Sequence, residues 1–121
     1  MATKRILVAE DEAHILLLIQ RMLESAGYAI RATMNGGEAL RLAQQEHPDL
    51  ILLDIMLPEQ NGLQICRNIK SEPDAPPIIL ISALGQQMDV EAGLAAGADD
   101  YIIKPFSPRS LIEHVERALR S

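Results

Sequence analysis

Four short segments of this chain, RILVAED (5–11), DLILLDI (49–55), PPIILIS (76–82) and DYIIKPF (100–106), are apolar at consecutive rather than alternating positions. A strand with one face in water alternates, whereas a strand apolar on both sides needs cover on both sides, which parallel sheets obtain from crossover helices. The four segments are read as buried parallel strands. A fifth, Tyr28 to Thr33, is weaker and reads as an edge strand with a partly wet face. Between the runs lie segments with helical spacing, the clearest being Leu111, Ile112, Val115, Ala118 and Leu119. Ser107 can cap that last helix and Pro108 suits its first position. The first helix is expected from about Glu12 to Ala26, stopping at Gly27. Others are expected over about 37–46, 62–71 and 86–96, with 71–77 as a loop that presents the fourth strand. Strand and helix alternate five times, and right-handed crossovers then give a doubly wound α/β sheet in a single domain over 1–121.

Composition narrows what such a domain can do. At 121 residues, 48% hydrophobic and 23% charged, the chain can fill one core without disulfides or a structural metal. Eleven basic residues against seventeen acidic ones give −6, with no Lys/Arg run, so direct nucleic-acid contact by this domain is not expected. Tyr28, Tyr101 and Phe106 are the only aromatics, too few for a base-stacking platform. The single cysteine, Cys66, excludes an internal disulfide and a cysteine zinc cluster, and fits a reduced compartment. Acidic residues interrupt the N-terminal apolar run too early for a secretory signal, and no run reaches membrane-spanning length. A cytoplasmic protein with no membrane contact is expected.

Function is suggested by where the polar residues fall. The first run ends in Glu10 and Asp11, the third in Asp54, the fourth in Ser82 and the fifth in Lys104. In an open parallel sheet the carboxyl ends of the strands share one edge, where ligands bind at the switch in strand order. Three carboxylates gathered there repel one another and resist desolvation unless a cation compensates. With oxygen ligands alone, a hard divalent ion is favoured, and Mg²⁺ combines one or two carboxylates with waters and phosphate oxygens. A phosphoryl substrate is therefore expected. Asp54 lies deepest in its run and is assigned as the nucleophile, forming an aspartyl phosphate. Asp11 and the Met56 backbone carbonyl would bind Mg²⁺, Glu10 would contribute through water, and Lys104 would meet a carboxylate or phosphate oxygen.

Taken singly, these residues have ordinary explanations. A strand-end acid often caps a helix, a serine often makes a turn, and a lysine is usually solvated. Their recurrence at corresponding ends of successive strands is what independent caps would not produce. His14, His47 and His114 have no metal-ligand spacing and read as solvated helix histidines. Cys66 lies three residues from both Leu63 and Ile69 and reads as core packing, while Gly36, Gly37 and Gly85 read as turn residues.

The segments LVAEDE, LILLDIMLPEQNG, IILISA, AGADDYIIKPF and SPRSL resemble, along the whole chain, the receiver domain of bacterial two-component response regulators. The resemblance implies a flavodoxin-like (βα)5 fold with a five-stranded parallel sheet in the order 2-1-3-4-5. It implies phosphoryl transfer from a histidine kinase or phosphotransfer protein to Asp54, with Mg²⁺ held by Glu10, Asp11, Asp54 and the Met56 carbonyl. Lys104 would bind the phosphoryl group. Ser82 would be the switch hydroxyl and Tyr101 the switch aromatic, entering the space Ser82 vacates. The Lys104–Pro105 bond matches a family cis peptide. The face of helix 4, strand 5 and helix 5 would control an output domain or target protein, with no turnover of a metabolite; Met56 and Leu84, apolar at positions flanking the acyl phosphate, are expected to crowd out attacking water and make autodephosphorylation slow. The C-terminal segment is similar to receivers of winged-helix transcription factors. Val90, Ala92, Ser110 and His114, however, stand where that subclass usually has charged partners, which argues against its dimer. Ser121 falls where a receiver's last helix would finish, consistent with either a stand-alone protein or a fragment of a longer regulator.

Two rivals come from other classes. A Mg²⁺-dependent aspartyl-phosphate phosphatase of the haloacid-dehalogenase type needs a second acid two residues after the nucleophile, and Met56 stands there. An interaction module that is never phosphorylated would not need every pocket residue.

Overall fold

A computed structural model describes residues 2–120. Five strands, β1 (Arg5–Ala9), β2 (Ala29–Thr33), β3 (Leu50–Asp54), β4 (Ile78–Ser82) and β5 (Asp100–Ile103), alternate with five helices. These are α1 (Ala13–Ser25), α2 (Gly36–Glu46), α3 (Gly62–Lys70), α4 (Gln87–Ala95) and α5 (Pro108–Arg120). All strands are parallel, in the order β2-β1-β3-β4-β5. The consecutive apolar runs have the reason sequence assigned to them. Ile6, Val8, Leu50, Leu52, Ile79 and Ile81 face the core that α1 and α5 cover through Leu16, Ile19, Leu23, Leu111 and Val115. Their neighbours Leu7, Ile51, Leu53, Ile78 and Leu80 face the opposite core, against Leu42, Ile65, Cys66 and Ile69. Every residue of β3 and β4 is buried, while β2 at the sheet edge alternates between exposed and covered positions.

Local chemistry sets the helix ends. Ser107 Oγ accepts the Ser110 N–H at 3.0 Å, and Pro108 opens α5. Gly27 takes a left-handed φ of 99° just past α1, a conformation in which a Cβ would be strained. The expected helix boundaries hold to within a residue. Two readings change. Gly36 and Gly37 open α2 instead of forming a turn before it, with the Asn35 side chain as the cap. His114 is only partly exposed: its Nδ1 lies 2.5 Å from Asp100 Oδ2, because α5 packs across the start of β5. His14 and His47 do lie exposed. Among the described residues no helix is long and apolar enough to cross a membrane.

Cys66 lies wholly inside the second core, and burial pushes its thiol up to about 11. Reactivity requires the thiolate and access to it. The folded protein should therefore leave Cys66 unmodified by a thiol-specific chromogenic reagent at pH 8, with labelling appearing only as denaturant unfolds the chain. Rapid labelling of folded protein would contradict this packing.

Candidate functional site

The register of the sheet assembles the polar residues. Ala9 pairs with Leu53, so the next residues, Glu10 and Asp54, stand side by side at the carboxyl edge of the sheet. Asp54 pairs with Ile81 and Ser82 with Ile103, which brings Ser82 and Lys104 to the same edge. The Lys104 N–H donates to the Ser82 carbonyl at 2.9 Å, and the Lys104–Pro105 bond is cis. Glu10, Asp54 and Ser82 are each at most 2% exposed.

Lys104 Nζ joins the two buried acids. It lies 2.8 Å from Glu10 Oε1 and donates to Asp54 Oδ2 at 3.1 Å. The remaining Asp54 oxygen, Oδ1, accepts the Met56 N–H at 3.0 Å, and Glu10 Oε2 accepts the Glu12 N–H at 3.0 Å. Burial pushes the Glu10 carboxyl up to about 7, with Lys104 drawing it down and Asp54 pushing it further up. Burial alone would lower the Lys104 pKa. The neighbouring carboxylates of Glu10 and Asp54 outweigh that and leave it above the usual lysine value.

Asp11 differs from its expected setting. It is exposed, on the outer rim, because the chain turns outward into α1. Its carboxylate gathers with those of Glu10 and Glu12, oxygens within 4.8 Å of one another. Glu12 was not singled out from sequence, and its position directly after the acid pair was the available signal. The residues fit a hard divalent cation on one structural ground: Glu10 Oε1, buried, contacts Lys104 at an angle that makes no hydrogen bond and so has no hydrogen-bond donor. A single ammonium serves Glu10 and Asp54 together, leaving the acid cluster undercompensated.

Ser82 Oγ accepts the Leu84 N–H at 3.0 Å, and the Tyr101 hydroxyl donates to the Leu84 carbonyl at 2.6 Å. Tyr101 is raised above the usual tyrosine pKa by burial, partly offset by a hydrogen bond with Ser82. The ring already lies inside, 9% exposed, because Gly93 of α4 has no side chain to obstruct it. A Cβ there would come within 2.9 Å of the Tyr101 ring and of Leu80. Gly93 was missed because a glycine within a helix is not recognisable as ring clearance until α4 is docked on β5.

A family model for the response regulator receiver domain matches residues 6–116. The chain belongs to this family, whose members are phosphorylation-dependent signalling domains of two-component systems, generally Mg²⁺-dependent and not classical enzymes. Among curated proteins it is 43% identical, over 117 residues, to the alkaline phosphatase synthesis transcriptional regulatory protein PhoP of Bacillus subtilis, covering 97% of this chain and 49% of that one. It is 45% identical over 116 residues to the transcriptional regulatory protein ResD of the same organism, covering 96% and 48%. The chain thus spans about half the length of these relatives. A solved structure of a putative response regulator from Chloroflexus aurantiacus superposes with a TM-score of 0.94 at 30% identity, covering 99% of this chain and all of that one.

The raised Glu10 pKa gives a pH-dependent stability with a definite sign. A carboxyl that holds its proton more tightly when folded than at its ordinary value of 4.5 costs stability once ionised. Without metal, its contribution is full below about pH 4.5 and lost as pH rises through about 7. In chelator, Glu10→Gln should melt above the unsubstituted protein at pH 8, and the gap should close toward pH 5. A gap that widens on acidification would refute the assignment.

Proposed function

We propose that Asp54 accepts a phosphoryl group from the phosphohistidine of a sensor histidine kinase or phosphotransfer protein. The observation that carries this reading is the pair of buried acids bridged by one lysine at the carboxyl edge of the sheet. An Asp54 oxygen attacks phosphorus, the P–N bond breaks, and the histidine leaves with the electron pair and takes up a proton. Little covalent chemistry falls to the protein in such a transfer, so positioning and charge neutralisation do most of the work. The Met56 N–H fixes one Asp54 oxygen and Lys104 the other, which orients the carboxylate. Glu10, Asp11, Asp54 and the Met56 carbonyl are the groups that would hold Mg²⁺, with the exposed Glu12 at the rim. When bound, the ion supplies positive charge to the transferring phosphoryl oxygens. Lys104 then turns from its carboxylates to the new acyl phosphate.

The arriving oxygens are strong acceptors, and Ser82 would donate to one of them. Ser82 and Tyr101 both bond the Leu84 peptide, at its N–H and its carbonyl, so redirecting Ser82 alters the support of the segment that leads into α4. The face of α4, β5 and α5 is accordingly proposed to signal to an output domain or target protein, in the cytoplasm, by shifting between existing packings. Asp100 of that face is held by His114, with Arg117 3.9 Å away, which supports an arrangement other than the charged dimer of the winged-helix subclass. The phosphatase reading has less support, since the position two residues after Asp54 carries the exposed Met56 and no acid.

Incubation with acetyl phosphate and Mg²⁺, followed by intact mass, should show one phosphoryl adduct that Asp54→Asn abolishes. An adduct retained in Asp54→Asn, or rapid release of phosphate from many small esters, would reject the proposal. Met56 and Leu84 are apolar and exposed beside the site, 62% and 43%, and we assign them the role of crowding attacking water. Replacing both, Met56→Asn with Leu84→Glu, should shorten the phosphorylated lifetime, and an unchanged lifetime would remove that role.

A further inference from the structure

The loop between β3 and α3, residues 55–61, carries Met56, and its internal bonds are local ones, from the Leu57 N–H to the Ile55 carbonyl at 3.2 Å and from the Gln60 N–H to the Pro58 carbonyl at 2.9 Å, which do not place its tip. Its two ends are fastened: the Gly62 N–H donates to the Ile55 carbonyl at 2.8 Å, and a Cβ on Gly62 would sit 2.5 Å from the Asp54 carbonyl. Its tip leans on the turn between β2 and α2. The Pro58 carbonyl accepts the Gly36 N–H at 3.0 Å, and Gly36 packs so closely that a Cβ would lie 2.2 Å from the Gln60 carbonyl.

Glu59, at that tip, adopts a φ of 70°, in the left-handed region that favours glycine. Its carboxylate accepts a hydrogen bond from Asn35 Nδ2 and occupies the space beside Gly37, at the N-terminus of α2, where negative charge is favoured. The same turn reaches the other side of the site, since the Thr33 carbonyl accepts the Glu10 N–H at 3.1 Å and Thr33 Oγ1 accepts the Asn35 N–H at 3.2 Å. One turn thus ties the backbone of Glu10 to the loop bearing Met56.

We propose that Glu59 and Asn35 form a clasp that positions the Met56 peptide for cation binding, so that these two are positioning residues for the site. This rests on the receiver reading given above. Neither side chain touches the acids, and the clasp acts only through the backbone it fixes. A side chain in place of glycine at the loop tip is then tolerated because its carboxylate finds a donor and a helix terminus. Groups that orient a ligand without binding the metal commonly alter affinity by about tenfold or more.

The test uses the full chain with Glu59→Ala, Glu59→Gln and Asn35→Asp. The last keeps the oxygen that caps α2 by accepting the Glu38 N–H at 2.9 Å, but replaces the amide donor with a second carboxylate. Mg²⁺ affinity by titration calorimetry should fall about tenfold in Glu59→Ala and in Asn35→Asp. Glu59→Gln, which can still accept from Asn35, should retain most of it. In metal-free protein the Met56 amide should exchange with solvent faster in the two disrupted variants, with the melting temperature little changed. Wild-type affinity and wild-type Met56 exchange in Glu59→Ala would overturn the proposal. If the unsubstituted protein binds no Mg²⁺, the receiver-site assignment fails instead. The exchange measurement then still decides the clasp, which stands if Met56 is released and falls if it is not.

Discussion

Two buried carboxylates, Glu10 and Asp54, approach each other closely enough to share the ammonium of Lys104, and the chemistry of this domain follows from that sharing. Acids in such a setting resist ionisation unless positive charge is supplied, and one lysine between two of them supplies it incompletely. The site is therefore predisposed to take more cation and, with it, an anion of high charge such as a phosphoryl group. A core of apolar strands would not by itself tolerate this arrangement. It persists because β3 and β4 are covered on both faces and hold the acids in register with their partners.

The same edge links chemistry to shape. Ser82 is buried at the same sheet edge as Asp54 and, with Tyr101, engages the Leu84 backbone at its N–H and its carbonyl. Tyr101 spans from that peptide into the second core, where Gly93 leaves room for its ring. A charge change at Asp54 can thus reach α4 and β5 through a few hydrogen bonds. The α4 surface toward which it leads exposes two large apolar side chains, Met88 at 78% and Leu94 at 47%.

Much of this was legible in the residues. Short consecutive apolar runs bounded by turn residues suit strands covered twice, and polar residues at the ends of four of them collect at one sheet edge if the strands are parallel. Asp54, Lys104, Ser82 and Glu10 were located on that ground. What escaped were features that depend on distant segments meeting: the outward turn that leaves Asp11 at the rim, the Asp100 contact that half-buries His114, and the clearance at Gly93 that accommodates the Tyr101 ring. Glycines show the limit most plainly. Gly27 was readable as a helix stop from its neighbours, whereas Gly36 and Gly93 are small because of chains that pass close to them from elsewhere in the fold.

The sequence by itself determined the alternation of five strands and five helices, the doubly wound class and the gathering of Glu10, Asp54, Ser82 and Lys104 at one sheet edge, because periodicity and the placement of charge after apolar runs are local properties. Tertiary structure decided which oxygen of each acid meets Lys104, how far Glu10 is raised, and which turn braces the loop of Met56. Those depend on strand register and on approaches of a few ångströms between segments remote in the chain, and electrostatic energy in a low-dielectric edge changes steeply over such distances.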